Sequence, residues 1–150
     1  MKELLLKKKF DFFSIKNLRD LEQFSINLVN VMEKGCFVAI NGEIGVGKTT
    51  LVKYVCKYLG IKENVTSPTF MLMKRYWIEK LDCYLNHFDF FRISDDKESF
   101  VFNEYKNENI NMIEWANFSP SFWINEKKLI CLKIVVQSDD FRKIYLNSSF

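Results

Sequence analysis

Eight consecutive residues, Gly42-Glu43-Ile44-Gly45-Val46-Gly47-Lys48-Thr49, fit the spacing G-x-x-x-x-G-K-S/T, and that spacing serves phosphate chemistry. Three of the chain's five glycines fall inside it. Glycines let successive backbone N–H groups turn into one concavity, and the positive end of a following helix adds to that anion site. Lys48 would reach the β- and γ-phosphates of a nucleotide. Thr49 would offer its hydroxyl to Mg²⁺, which offsets the charge that develops as a phosphoryl group moves. The candidate nucleotide contact therefore runs through Gly42, Glu43, Ile44, Gly45, Val46, Gly47, Lys48, Thr49 and Thr50.

Such a loop needs a carboxylate at the end of a neighbouring strand, to hold Mg²⁺ or to orient the attacking water. Glu114 follows the apolar run Ile110 to Ile113 and precedes Trp115, while Asp89 closes Tyr84 to Phe88. Either one alone reads equally well as a solvated strand-end carboxylate. Thr66-Ser67-Pro68-Thr69-Phe70 gathers hydroxyls around a proline downstream of the loop's helix, where nucleotide-sensing segments lie in this class of fold. By itself it also reads as a turn that caps a strand. His87, the chain's only histidine, reads as a half-buried strand residue. Lys7-Lys8-Lys9 reads as a solvated charge run.

These residues need elements to position them. Cys36 to Ile40 is a short apolar run that enters the loop, and Lys48 to Leu59 reads as the helix that leaves it, closed by Gly60. Upstream, Leu18, Leu21, Phe24, Leu28 and Val31 recur at helical spacing, which predicts a helix over about Lys16 to Lys34 with Gly35 as its cap. An extended opening precedes it around Leu4 to Phe13. Thr69 to Ile78 and Asp82 to Ile93 read as strands joined through Glu79-Lys80-Leu81, and Ser94-Asp95-Asp96 offers an N-terminus for a helix to about Tyr105. Ile110 to Ile113 predicts a short strand ending at Glu114. Lys128 to Val136 and Phe141 to Leu146 form a final hairpin. The mixture is an α/β domain with a partly antiparallel sheet.

At 150 residues, with 48% hydrophobic and 27% charged positions, the chain has the composition and size of one soluble domain. No run approaches a membrane span or a signal-peptide core, so a cytoplasmic location without membrane contact is expected. Cys36, Cys56, Cys83 and Cys131 are widely spaced and lack zinc-site patterning, so they read as buried reduced thiols. The net charge of +3 permits contact with nucleic acid without specifying it. No glycine follows Gly60, so the D-x-x-G switch of small GTPases is missing, as is the N-K-x-D guanine motif. The D-F-G and A-P-E marks of protein kinases are missing too.

Four motifs in order, G-E-I-G-V-G-K-T-T, N-V-T-S-P-T-F, H-F-D-F-F-R-I and I-E-W, make residues 14 to 146 resemble the TsaE (formerly YjeE) family of bacterial tRNA threonylcarbamoyladenosine biosynthesis ATPases. The resemblance implies a P-loop NTPase-type three-layer sandwich. It implies an ATPase, using ATP and Mg²⁺, that supports threonylcarbamoyl addition to the adenosine beside the tRNA anticodon. In the family the protein docks on the TsaB–TsaD heterodimer, resets that complex through ATP binding and hydrolysis, is slow alone, and is linked to tRNA indirectly through the complex. Carried over by motif, Lys48, Asp89 and Glu114 are the catalytic candidates, and Thr49 with Glu114 the metal-associated pair. Thr66, Ser67 and Thr69 form a switch-like loop, and Trp115 packs beside the site.

This chain departs from the family's usual G-D-L-G-A-G-K-T at Glu43, Ile44 and Val46, and carries Phe91 where H-x-D-x-Y-R-L has tyrosine. The glycines and the Lys-Thr pair are kept. A free-standing small-molecule kinase is the second reading, and it would need an arginine-rich lid from Arg19, Arg75, Arg92 and Arg142, the chain's only arginines. A nucleotide-binding scaffold without useful hydrolysis is the third.

Overall fold

The first strand after the opening helix is apolar almost throughout and buried at every position, because it lies in mid-sheet with both faces covered. This strand, β2 (Phe37–Asn41), sits at the centre of a seven-stranded sheet in a computed structural model that describes residues 12–92, 108–116 and 128–146. The others are β1 (Phe12–Ile15), β3 (Met73–Ile78), β4 (Cys83–Asp89), β5 (Ile110–Glu114), β6 (Leu129–Ser138) and β7 (Phe141–Leu146), in the spatial order β1-β7-β6-β2-β5-β4-β3. The central β6, β2, β5 and β4 run parallel, while β3, β7 and β1 join antiparallel at the two sides. The sheet is mixed, as expected of a P-loop-type α/β fold.

Two helices, α1 (Leu18–Val29) and α2 (Lys48–Leu59), lie on one face of the sheet. Leu21, Phe24 and Leu28 of α1 meet Leu51, Val52, Val55 and Leu59 of α2 in the larger core, together with Val38, Ile40, Leu85 and Met112 from the strands. Burying each of these side chains is worth about 1.5–3 kcal/mol. That outweighs the weak helix propensity of Val52 and Val55, a few tenths of a kcal/mol up to about 0.7 each. A smaller cluster of Phe37, Ala39, Phe88 and Ile113 occupies the other face. The third layer of the expected sandwich and the helix expected over Ser94 to Tyr105 lie outside the described residues.

The helix boundaries follow from capping. Asn17 Oδ1 accepts the N–H groups of Arg19 at 2.9 Å and Asp20 at 3.1 Å, which starts α1 at Leu18, two residues later than periodicity suggests. The expected run to Lys34 is shortened to Val29. Val31 and Met32 keep the apolar pattern going, yet their N–H groups bond three residues back in a tighter turn, to Leu28 and Val29. Gly35 is not the cap; its N–H reaches Asn109 O at 2.8 Å and turns the chain into β2. By contrast α2 has the expected bounds, and Gly60 at φ +82 closes it in the left-handed conformation.

Two strands are shorter than expected. β3 begins at Met73 rather than Thr69, because Pro68 O accepts both Met71 N–H and Leu72 N–H at 2.8 Å and folds that stretch into a turn. β4 stops at Asp89 rather than Ile93, where Phe91 N–H turns back to Asp89 Oδ1. No helix among the described residues is long and apolar enough to cross a membrane.

Cys36, Cys56 and Cys83 are buried and Cys131 is half-buried, all as free thiols. Burial pushes the thiols of Cys36 and Cys131 up to about 11 and that of Cys56 up to about 12. Because the thiolate is the reactive form, none of these three should react with an aromatic disulfide reagent at pH 8 on the timescale of minutes. All should react once the chain is unfolded in guanidinium, and rapid labelling of Cys56 in the folded protein would contradict the packing of α2.

Candidate functional site

The phosphate-loop sequence lies between β2 and α2, and its backbone depends on glycine at two points in particular. At Gly47, φ is +112, and this residue heads α2 with no side-chain cap, so the helix N-terminus stays open to a ligand. At Gly42 a Cβ would lie 2.7 Å from Ile134 O and 2.7 Å from Val46 Cγ1. Only hydrogen lets the loop pass that close to β6. The hairpin also braces the loop from outside, since Arg142 Nε donates to Val46 O at 3.1 Å. That contact joins residues too distant in sequence for any motif to signal it.

Lys48 is buried, at 4% exposure. Its Nζ donates to Gly42 O at 2.7 Å and Glu43 O at 2.8 Å, and stands 3.7 Å from the centre of the Trp115 ring. Burial draws its pKa below the usual lysine value, and the carboxylates of Glu114 and Asp89 act against that shift. Trp115 follows Glu114 at φ +59 and is held by its N–H to Ile40 O at 3.0 Å. A non-glycine residue pays about 1–3 kcal/mol for such a conformation, a cost met characteristically at ligand sites. Phe91 packs on the same indole, with ring centres 4.8 Å apart.

Asp89 and Glu114 are direct cross-strand partners at the carboxyl ends of β4 and β5, with Ile40 of β2 next in register. Both are buried, at 4% and 3% exposure, rather than solvated. They hold different groups. Glu114 Oε1 accepts Thr49 Oγ1 at 2.8 Å and stands 2.7 Å from His87 Nε2. Asp89 Oδ2 instead accepts Thr69 Oγ1 at 2.6 Å and Ser67 Oγ at 3.3 Å. The hydroxyl segment is fastened at its start as well, by Lys74 Nζ on Thr66 Oγ1 and by Thr66 N–H donating to Tyr76 OH at 3.4 Å.

Most of the expected residues therefore meet around one cavity of about 340 Å³, walled by Lys48, Thr49, Ser67, Thr69, Asp89 and Glu114. Ile44, Gly45, Gly47 and Thr50 also border it, as do Phe91 and Trp115. Thr66 stands behind it, and Glu43 contributes its carbonyl to Lys48. A second cavity of about 330 Å³ lies on the other side of the loop, sharing Gly45, Gly47 and Thr50 and reaching Asn17, Leu18 and Arg142. The burial of one residue differs from the sequence expectation. His87 is fully buried against Glu114 rather than half-buried, because β4 is an inner strand of the sheet, and a lone histidine in a sequence does not show which strand edge is covered.

The donors suit a hard cation. Thr49 and Glu114 supply adjacent oxygens, and Mg²⁺ ordinarily takes one or two carboxylates while keeping waters and substrate phosphates. No group of three or more His, Cys, Asp or Glu among the described residues could hold a metal without such help.

A family model described as "Threonylcarbamoyl adenosine biosynthesis protein TsaE" matches residues 15–144. The tRNA threonylcarbamoyladenosine biosynthesis protein TsaE of Bacillus subtilis is 33% identical over 111 residues, covering 73% of this chain and 68% of that protein. The protein of the same name from Haemophilus influenzae is 36% identical over 87 residues, covering 56% of this chain and 54% of that protein. The crystal structure of Bacillus subtilis YdiB has a similar fold, with a TM-score of 0.67 at 22% identity over 92% of this chain and 84% of that chain.

Replacing Gly42 with alanine should push the loop away from β6. Overpacking of this kind costs about 1–3 kcal/mol, so the unfolding free energy should fall by that amount and the midpoint of chemical unfolding should fall with it. An unchanged midpoint would mean that the loop moves aside without resistance.

Proposed function

The chain belongs to the TsaE family of tRNA threonylcarbamoyladenosine biosynthesis, and from that premise we propose that it is a Mg²⁺-dependent ATP hydrolase serving that modification in the cytoplasm. The observation that carries the reading is the Thr49–Glu114 hydrogen bond on the wall of a cavity that Lys48 also lines. It brings a cation, a hydroxyl and a carboxylate to one open helix N-terminus, the set that phosphoryl transfer requires.

In this reading the triphosphate lies over Gly45 to Thr50, with its γ end toward Ser67 and Thr69. The nucleoside reaches across the loop into the second cavity, beside Asn17 and Arg142. Lys48 keeps its contacts with the loop carbonyls while its remaining N–H turns from the Trp115 ring to phosphate oxygen. A Thr hydroxyl has one hydrogen and two lone pairs, so Thr49 can donate to Glu114 and still present a lone pair to the metal. Mg²⁺, when bound, supplies charge neutralisation at the β- and γ-phosphates. Glu114 orients the attacking water, and Asp89 holds the hydroxyl segment against the γ-phosphate side.

The expected partner is the TsaB–TsaD heterodimer, through which tRNA is met indirectly. Supporting a protein partner, Ile44 and Phe91 at the cavity and Phe70 and Met71, which follow Thr69 in the chain, are all exposed, with Phe70 at 85%. Exposed apolar residues grouped beside a functional cavity mark a protein-binding surface more often than scattered ones do.

ATP hydrolysis by the pure protein, alone and with TsaB–TsaD, tests the reading. Stimulated release of ADP and phosphate with no phosphorylated product would support it; a phosphorylated small-molecule product would establish a kinase instead. Lys48→Ala should reduce ATP affinity or turnover by at least about 100-fold, the scale of losing about 2.7 kcal/mol of charge stabilisation. Unchanged binding and turnover would overturn the site. Glu114→Gln should retain ATP binding within about two-fold while hydrolysis falls by about 100-fold, and normal hydrolysis would remove Glu114 from the chemistry.

A further inference from the structure

His87 is fully buried on β4, two residues before Asp89. Its Nε2 stands 2.7 Å from Glu114 Oε1, while its Nδ1 is buried without a hydrogen-bond partner. An ionised carboxylate only accepts hydrogen bonds, so the hydrogen of this contact sits on Nε2. Burying an unpartnered ring nitrogen is unfavourable. An apolar side chain of the same size would pack in the core without that cost, so the ring's gain lies at its other nitrogen.

We propose that His87 is a positioning residue that fixes the Glu114 carboxylate so that Oε2 faces the phosphate cavity. Oε1 is already committed to two donors, His87 Nε2 and Thr49 Oγ1. Oε2 has no hydrogen-bond partner among the described residues, and Glu114 lines the cavity. The two donors are unequal. Thr49 belongs to the loop's helix and its hydroxyl must also serve the ligand, whereas His87 is set in the sheet, paired in register with Met112 of β5 and Lys74 of β3. When the ligand draws on Thr49, the His87 hydrogen bond is the one that keeps the carboxylate from rotating. This rests on the role proposed above for Glu114, and makes His87 part of the same device: the histidine holds one oxygen so that the other can act on water.

The test compares three substitutions in the full chain, with ATP affinity measured by titration and hydrolysis in Mg²⁺ measured under single-turnover conditions. His87→Leu removes both ring nitrogens; His87→Asn keeps an amide at the Nδ1 position, too short for Glu114; His87→Gln restores an N–H near the Nε2 position. Loss of a partner that orients a ligating or catalytic group typically costs about 10- to 100-fold. The expected result is a loss of that size in turnover for His87→Leu and His87→Asn, with ATP affinity within about two-fold of wild type, and recovery by His87→Gln to within about three-fold. If His87→Leu fails to fold, the Asn and Gln variants carry the comparison. In a Glu114→Gln background the histidine substitutions should have no further effect on turnover.

Wild-type turnover in His87→Asn, alongside impaired Glu114→Gln, would overturn the proposal and leave the Glu114 reading intact. Equal losses in affinity and turnover, without recovery by Gln, would also overturn it, because they indicate general damage to the core. Normal hydrolysis by Glu114→Gln would instead remove the premise on which both stand.

Discussion

One carboxylate oxygen ties the site to the fold. Glu114 Oε1 accepts from Thr49 at the head of α2 and from His87 within β4, while its own backbone is locked into β5 beside β2. A loop, a helix and three strands thus share one hydrogen-bonding centre. Such a centre is favourable only if every element arrives in register, since a buried carboxylate without donors costs far more than its bonds return. The mixed sheet supplies that register. Parallel β4, β2 and β5 bring their carboxyl ends to one line, the place where open α/β sheets ordinarily bind ligands.

The same demand explains how a buried lysine is tolerated beside two buried acids. Lys48 has lost its water, which lowers its pKa, and the nearby carboxylates of Glu114 and Asp89 partly compensate. Its hydrogen-bond acceptors, however, are the carbonyls of Gly42 and Glu43 rather than either acid. The positive charge therefore shapes the loop from within, drawing two carbonyls inward. The Trp115 face completes the cage at 3.7 Å, an attraction of about 0.5–2 kcal/mol, weak enough for a phosphate to replace.

Local signals were legible where one residue type has one physical use. The bounds of α2 follow from Gly47 and Gly60 at its two ends, and the strand end at Glu114 follows from an apolar run meeting a charge. The rest depended on contacts distant in sequence. Val31 packs against the core without belonging to a helix, so its apolar character extended α1 too far. Thr69 to Leu72 looked like strand because its turn is fixed by Pro68 O and by Asp89, twenty residues away. Neither His87's depth nor the bracing of Val46 by Arg142 could be read locally, because both are set by which strands become neighbours.

Asp89 and Glu114 are equivalent in chemistry and adjacent in register, yet the residues around them make them different. Glu114 faces Thr49 and His87, so one of its oxygens is fixed and the other remains free toward the cavity. Both oxygens of Asp89 are occupied, Oδ1 by Phe91 N–H and Oδ2 by the hydroxyls of Thr69 and Ser67. A carboxylate held at both oxygens is less free to reorient toward a proton or a metal than one held at a single oxygen. It is well placed to set the position of a turn. In the proposed function this divides the labour between strand ends. Glu114 addresses the chemistry, while Asp89 couples the hydroxyl segment and its exposed neighbours, Phe70 and Met71, to whatever occupies the cavity. Under that proposal, a partner that moves those exposed residues would act on the nucleotide through Asp89 without touching Glu114.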